Sequence, residues 1–239
     1  MNFLTAIPVY NEEATVESIL RQVKEFSPNI LVVDDGSTDR TPDLISKQDG
    51  IKVICHQTNK GYGAALISAF QYAVSHPEYE ALLTMDCDGQ HDPSRAHLLL
   101  DGLSTADIVS GSRYLGQFED DVEAPLDRMQ VNRQITKELN TLLKFELTDS
   151  FCGYKAYRSS ALAKLDITES GWGMPLQVLV QAAKAGLSIK EVPVPRIYLD
   201  AKRSFGPVLN DPSERIRYYR GVIEREMART NASTTVISK

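Results

Sequence analysis

Two carboxylates one residue apart, Asp86 and Asp88, stand with Gln90 in the run Thr84-Met85-Asp86-Cys87-Asp88-Gly89-Gln90-His91-Asp92-Pro93. In extended chain, alternate residues share a face, so three oxygen-bearing groups point one way. That is a set for a hard divalent cation. Mg²⁺ or Mn²⁺ takes carboxylate and amide oxygens and leaves positions open for substrate phosphates. The plainer reading is that two aspartates end a strand and begin a turn, and an isolated Asp-x-Asp usually does no more. The preceding Ala81-Leu82-Leu83 reads as a buried strand, which sets the carboxylates at its C-terminal end.

Such a pair serves a ligand only if a rigid framework brings other groups beside it. Strand-like runs fall at residues 3–7, 30–33, 51–55, 81–85 and from 107. Between them lie helical patterns: Val16, Ile19, Leu20, Val23 and Phe26; a helix opened by Thr41-Pro42; Leu66, Phe70, Ala73 and Val74; and Leu98 to Leu100 after Pro93. This alternation predicts an α/β fold, a doubly wound and mainly parallel sheet with its ligand at the carboxyl ends of the strands. The loops at those ends are polar: Pro8-Val9-Tyr10-Asn11-Glu12, Asp34-Asp35-Gly36-Ser37-Thr38-Asp39, Asn59-Lys60-Gly61-Tyr62-Gly63 and Gly111-Ser112-Arg113-Tyr114. Each alone is ordinary turn chemistry, but their convergence on one edge makes a site.

The second half is less regular. Glu119-Asp120-Asp121 reads as a solvated loop, and Val131, Ile135, Leu139 and Leu142 mark a helix over about 129–147 whose stripe faces the core rather than a membrane. A further helix spans 175–185. Pro193 and Pro195 demote the strand-like 189–195 to a sheet edge, a charged helix follows Asp211, and 230–239 reads as a flexible tail.

With 239 residues the chain fits one large domain over 1–229. A net charge of -6 argues against nucleic acid as a partner. Cys55, Cys87 and Cys152 are odd in number and lack CxxC spacing, as reduced cytosolic thiols do. No run approaches the roughly 20 apolar residues of a membrane span, and no signal peptide opens the chain. A soluble, cytoplasmic protein is expected.

The loop sequences, in this order, together with Asp149, Cys152-Gly153-Tyr154-Lys155, Glu191-Val192-Pro193-Val194 and Arg203-Ser204-Phe205-Gly206, resemble glycosyltransferase family 2, and within it the dolichyl-phosphate mannosyltransferase branch. The match covers about residues 3–206. The resemblance implies a GT-A fold with a nucleotide-sugar-binding half, 1–114, and an irregular acceptor half, 115–229. It implies an inverting hexose transfer from a GDP- or UDP-sugar. Carried over, Pro8, Tyr10 and Glu12 would hold the nucleoside, Asp35 its base or ribose, and Gly61 and Gly63 would let backbone approach it, unless they only shape a helix entry. Asp86, Asp88 and Gln90 would hold Mg²⁺ or Mn²⁺ against the diphosphate, and Arg203 with Ser204 would close over it.

The acceptor is the open choice. A hydroxyl needs a general base, whereas a phosphate monoester is already ionised and needs cations, a role suited to Arg113 and Arg133. The helix entry Trp172-Gly173-Met174-Pro175-Leu176-Gln177 carries no carboxylate where many hydroxyl-directed relatives have one. That favours a polyprenyl phosphate, with Asp149 orienting an arginine or capping a turn. A hydroxyl acceptor is the alternative. A non-catalytic nucleotide-sugar-binding protein and a nucleotidyltransferase are further ones, opposed respectively by the full charged set and by the acidic first loop. A lipid acceptor calls for a membrane-protein partner or peripheral docking at the cytoplasmic membrane face through the 129–147 helix. A homodimer through second-half helices is also expected.

Overall fold

The computed structural model describes residues 1–119, 121–199 and 205–229. Strands β1 (Phe3–Val9), β2 (Ile30–Asp34), β3 (Ile51–Cys55), β4 (Ala81–Thr84), β5 (Ile108–Ser112), β6 (Lys155–Arg158) and β7 (Ile189–Pro193) form one sheet in the order β3-β2-β1-β4-β6-β5-β7. β1 pairs in parallel with β2 and β4, β2 with β3, and β5 with β7, while β6 runs antiparallel between β4 and β5. β7 is an edge, where its terminal Pro193 costs no interior ladder bond.

Alternation along the strands splits the core between two faces. Ile7, Val9, Ile30, Val32 and Leu83 pack with helices α1 (Val16–Lys24), α2 (Thr41–Ile45) and α4 (Ala96–Gly102); α4 follows a 3-10 turn at Pro93–Arg95. Leu4, Ala6, Leu31, Val33 and Leu82 face α3 (Tyr62–Ser75), α6 (Ser159–Leu162) and α7 (Met174–Lys184). A third cluster joins α5 (Leu126–Leu143) through Val131, Ile135 and Leu139 to α7 and to Val222 and Ile223 of α8 (Pro212–Ala228). Three of the four stripe residues of α5 are consumed by packing, while Leu142 is exposed. Among the described residues no helix is long and apolar enough to cross a membrane.

Two features depart from the sequence reading. α5 ends at Leu143 rather than near 147, because Lys144 turns left-handed (φ 60°) and the Asn140 side chain replaces the helix ladder. Its Nδ2 donates to Leu147 O at 2.8 Å and its Oδ1 accepts from Leu147 N–H at 3.0 Å. β6 carries no apolar strand signal. Its first residue, Lys155, is buried with Nζ donating to Ser110 Oγ at 2.5 Å, and that burial lowers the ammonium's pKa.

Candidate active site

A cleft of about 930 Å³ opens at the carboxyl ends of β1, β2, β4 and β5. One wall is acidic. Pro8 from the end of β1 and Tyr10 and Glu12 from the loop after it line it, and that loop is buttoned to the segment after β2: Asn11 N–H donates to Ser37 Oγ at 2.9 Å, Thr38 N–H to Asn11 Oδ1 at 2.8 Å, and Glu12 N–H to Thr41 Oγ1 at 2.8 Å. Asp35 is buried and also lines the cleft, yet its oxygens accept from Lys60 N–H (3.0 Å), Gly61 N–H (2.7 Å) and the His56 ring (2.5 Å). Its visible work is to shape the 59–61 loop.

The two glycines beyond that loop separate in role. Gly61 (φ +104°) lines the cleft, while Gly63 does not. A Cβ at Gly61 would stand 2.5 Å from Ser170 O, and one at Gly63 2.3 Å from Glu169 O. Both glycines thus admit the close approach of the 169–171 backbone, and only Gly61 is also placed in the cleft lining, where the sequence led one to expect a nucleotide.

Asp86, Asp88 and Gln90 come together on this wall. The Tyr62 hydroxyl donates to Asp86 Oδ1 at 3.0 Å; burial, and then the carboxylate itself, push the phenol well above its usual pKa, so it stays a donor. Asp86 N–H donates to Nδ1 of buried His91, which stacks on Tyr154. Gln90 donates its backbone N–H to Asp88 Oδ1 (3.0 Å) and its Nε2 to Oδ2 (2.9 Å), leaving its amide oxygen for other use. Among the described residues no three of His, Cys, Asp and Glu converge as a closed metal cage. Two carboxylates and an amide oxygen facing a cleft instead fit an open site, whose remaining positions go to water and phosphate oxygens.

A second stretch of the lining is basic and aromatic. Arg113, at the exit of β5, gives Nε and Nη2 to Asp149 at 2.7 and 3.0 Å, while Nη1 faces the Tyr198 hydroxyl at 3.5 Å. Burial alone would raise the Asp149 pKa; Arg113, with bonds from Asn132 and Phe151 N–H, holds it well below the carboxylate range. The knot reaches β7, where Glu191 accepts from Thr148 and Asp149 N–H at 2.8 and 2.9 Å. Asp149 therefore orients Arg113, and it is not a cleft residue.

Arg133 is exposed on α5 and does not line the cleft; Arg128 and Arg215 do. Arg128 shares the face of Asn132 and Ile135 at helical spacing, and that periodicity was the available signal. Arg128 and Arg215 lie over the Phe205 ring, 5.0 and 4.7 Å from its centroid. Phe205 meets Trp172 edge-on at 5.4 Å, and Trp172 stacks on Tyr62 at 5.1 Å. Nothing in the sequence marked Trp172 or Arg215 beyond their types. Arg203 and Ser204 lie outside the described residues.

The sequence-family profile described as glycosyl transferase family 2 matches residues 5–166. An undecaprenyl-phosphate mannosyltransferase of Micrococcus luteus is 34% identical over 205 residues, covering 81% of this chain and 83% of that one. A polyprenol monophosphomannose synthase of Mycolicibacterium smegmatis is 33% identical, covering 80% and 76%. Among solved structures, glucosyl-3-phosphoglycerate synthase from Mycobacterium tuberculosis, crystallised with Mn²⁺, UDP and glucosyl-3-phosphoglycerate, superposes with a TM-score of 0.72 at 19% identity, over 97% of this chain and 81% of that one. That likeness establishes the GT-A fold. With an acidic loop set, an arginine wall and a profile match over most of its length, this chain is a glycosyltransferase and belongs to glycosyl transferase family 2.

Proposed function

We propose that this protein transfers a hexose from a nucleoside-diphosphate sugar to a polyprenyl phosphate, inverting the sugar C1. One observation carries the choice of acceptor. Among the described residues, the carboxylates lining the cleft are Glu12, Asp35, Asp86 and Asp88, all on the acidic wall; the wall of Arg113, Arg128 and Arg215 presents none. Asp149 is locked in its ion pair, and Gln177 is buried against Thr168 N–H, Glu169 N–H and Glu226. A hydroxyl acceptor would lack a base there. A phosphate monoester is ionised at pH 7 and needs guanidinium donors instead. The two relatives named for undecaprenyl-phosphate and polyprenol products support the same reading.

On this account the nucleoside lies along Pro8, Tyr10 and Glu12, in a loop shaped by Asp35. Asp86, Asp88 and Gln90 would hold Mg²⁺ or Mn²⁺, as their oxygen donors fit; when bound, the cation neutralises charge on the leaving diphosphate. Tyr62 fixes the rotamer of Asp86. Two of the five guanidinium donors of Arg113 are engaged by Asp149 and Nη1 makes a long bond to the Tyr198 hydroxyl, which leaves donors on the terminal nitrogens to orient a phosphate oxygen toward C1. That oxygen bonds to C1 as the C1–O bond to the diphosphate breaks, the bonding pair leaving with the nucleoside diphosphate. No proton transfer is required. A lipid acceptor brings the chain to a membrane surface, by peripheral contact or through a membrane-protein partner.

The test is transfer from GDP-mannose, GDP-glucose or UDP-glucose, with Mn²⁺, to farnesyl phosphate or to farnesol. Glycosyl farnesyl phosphate from one donor, with farnesol inert, is the expected result. Glycosylated farnesol would contradict the phosphate acceptor.

A further inference from the structure

The arginine wall holds one group that neither the sequence motifs nor the ion pairs account for. Arg215 lies near the start of α8, is 2% exposed and lines the cleft. One terminal nitrogen donates to Asp127 at the start of α5, and the guanidinium carbon lies over Phe205, 4.7 Å from the ring centroid. Its Nε is buried and, among the described residues, without a hydrogen-bond partner. No other buried side-chain nitrogen or oxygen among those residues is in that position. A buried guanidinium N–H left unsatisfied is costly, and folding tolerates it where a ligand later supplies the acceptor.

We infer that Arg215 is a phosphate-recognition residue, and that its ligand is the monophosphate of the acceptor rather than the diphosphate of the donor. This rests on the acceptor reading above. Three features select the chemistry. The free donor belongs to a planar cation matched to phosphate oxygens. Its counter-charge, Asp127, is 42% exposed and does not line the cleft, so the guanidinium is the member of the pair presented there. Its neighbours Arg128 and Tyr219 line the same cleft, and Phe205, Trp172 and Tyr62 in succession connect them to Asp86. A role confined to tying α8 to α5 would need only the bond to Asp127 and would leave Nε without purpose.

The chain's one tryptophan, Trp172, lines the cleft against Phe205, so its fluorescence reports binding. Farnesyl phosphate, farnesol and UDP or GDP with Mn²⁺ would each be titrated into wild type, Arg215→Gln, Arg215→Lys and Asp127→Asn. Farnesyl phosphate affinity should fall about ten- to a hundredfold in Arg215→Gln, as for loss of a charge-assisted bond, and partly recover in Arg215→Lys. Asp127→Asn removes the same tie between helices but frees the cation, so its affinity for farnesyl phosphate should hold or rise. Nucleotide affinity should stay within about twofold throughout. Equal losses in Arg215→Gln and Asp127→Asn would reduce Arg215 to a structural tie, and loss of nucleotide instead would reassign it to the donor; either overturns the inference. Should Arg215→Gln fail to fold, the contrast between Arg215→Lys and Asp127→Asn decides alone. Wild type binding farnesol as well as farnesyl phosphate would instead sink the acceptor reading itself.

Discussion

The acidic and basic walls of the cleft are built in opposite ways. On the acidic wall the groups come from loops immediately after parallel strands, and they are fixed by backbone amides and hydroxyls a short distance along the chain or one strand over. Gln90 reaches back to Asp88, and the loops after β1 and β2 clasp each other. On the basic wall, Arg113 is held by Asp149, thirty-six residues on, and Arg215 by Asp127, eighty-eight residues back. The carboxylates proposed to hold a cation are thus set by local turns, whereas the arginines proposed to meet a phosphate are held by carboxylates that arrive from elsewhere in the fold.

That contrast can be broken at several points. Asp149→Asn should have the largest effect, about 3 kcal/mol of stability, because it leaves the partly buried Arg113 uncompensated. Since the folded Asp149 pKa is depressed, its contribution is fully present above the unfolded carboxylate value of about 3.9 and is lost as pH falls below it. Denaturant titrations of wild type and variant should therefore differ by a constant amount from pH 8 to 5 and converge in stronger acid. Gly63→Ala should cost about 1–3 kcal/mol, since its Cβ meets the Glu169 carbonyl. Because that contact joins the α3 entry to the segment carrying Trp172, thermal unfolding should show the loss and both ligands should bind more weakly. Tyr62→Phe removes one bond to Asp86, about 0.5–1.5 kcal/mol, and should lower kcat a fewfold with acceptor KM unchanged. Arg133→Ala should change stability by no more than about 0.5 kcal/mol and leave turnover near wild type, as an exposed residue outside the cleft.

The same asymmetry explains what could be read from the sequence. Asp86, Asp88 and Gln90 were legible as a set because they are contiguous and follow an apolar strand, and the first five strands were legible from alternation with helices. Arg113 was legible from its place at the exit of β5. Arg133 and Arg128 lie on one helix, and only the phase of its buried face, Asn132, Ile135 and Leu139, tells which of the two reaches the cleft. β6 escaped because its burial comes from insertion between β4 and β5, an antiparallel pairing that leaves no periodic trace in four residues beginning with lysine. Gly61 and Gly63 announced a close approach, but not that the approaching backbone was 169–171. Contacts that depend on tertiary distance, such as Trp172 on Tyr62 or Arg215 on Phe205, have no local signature at all.

The division of labour between the walls is tested most directly by calorimetric titration of the preferred nucleoside diphosphate with Mn²⁺, and separately of farnesyl phosphate, into Asp88→Ala and Arg113→Ala. The account predicts a crossing pattern: Asp88→Ala loses metal-dependent nucleotide binding and keeps farnesyl phosphate, while Arg113→Ala keeps the nucleotide and loses farnesyl phosphate. Loss of both ligands in both variants, or of neither in either, would contradict it.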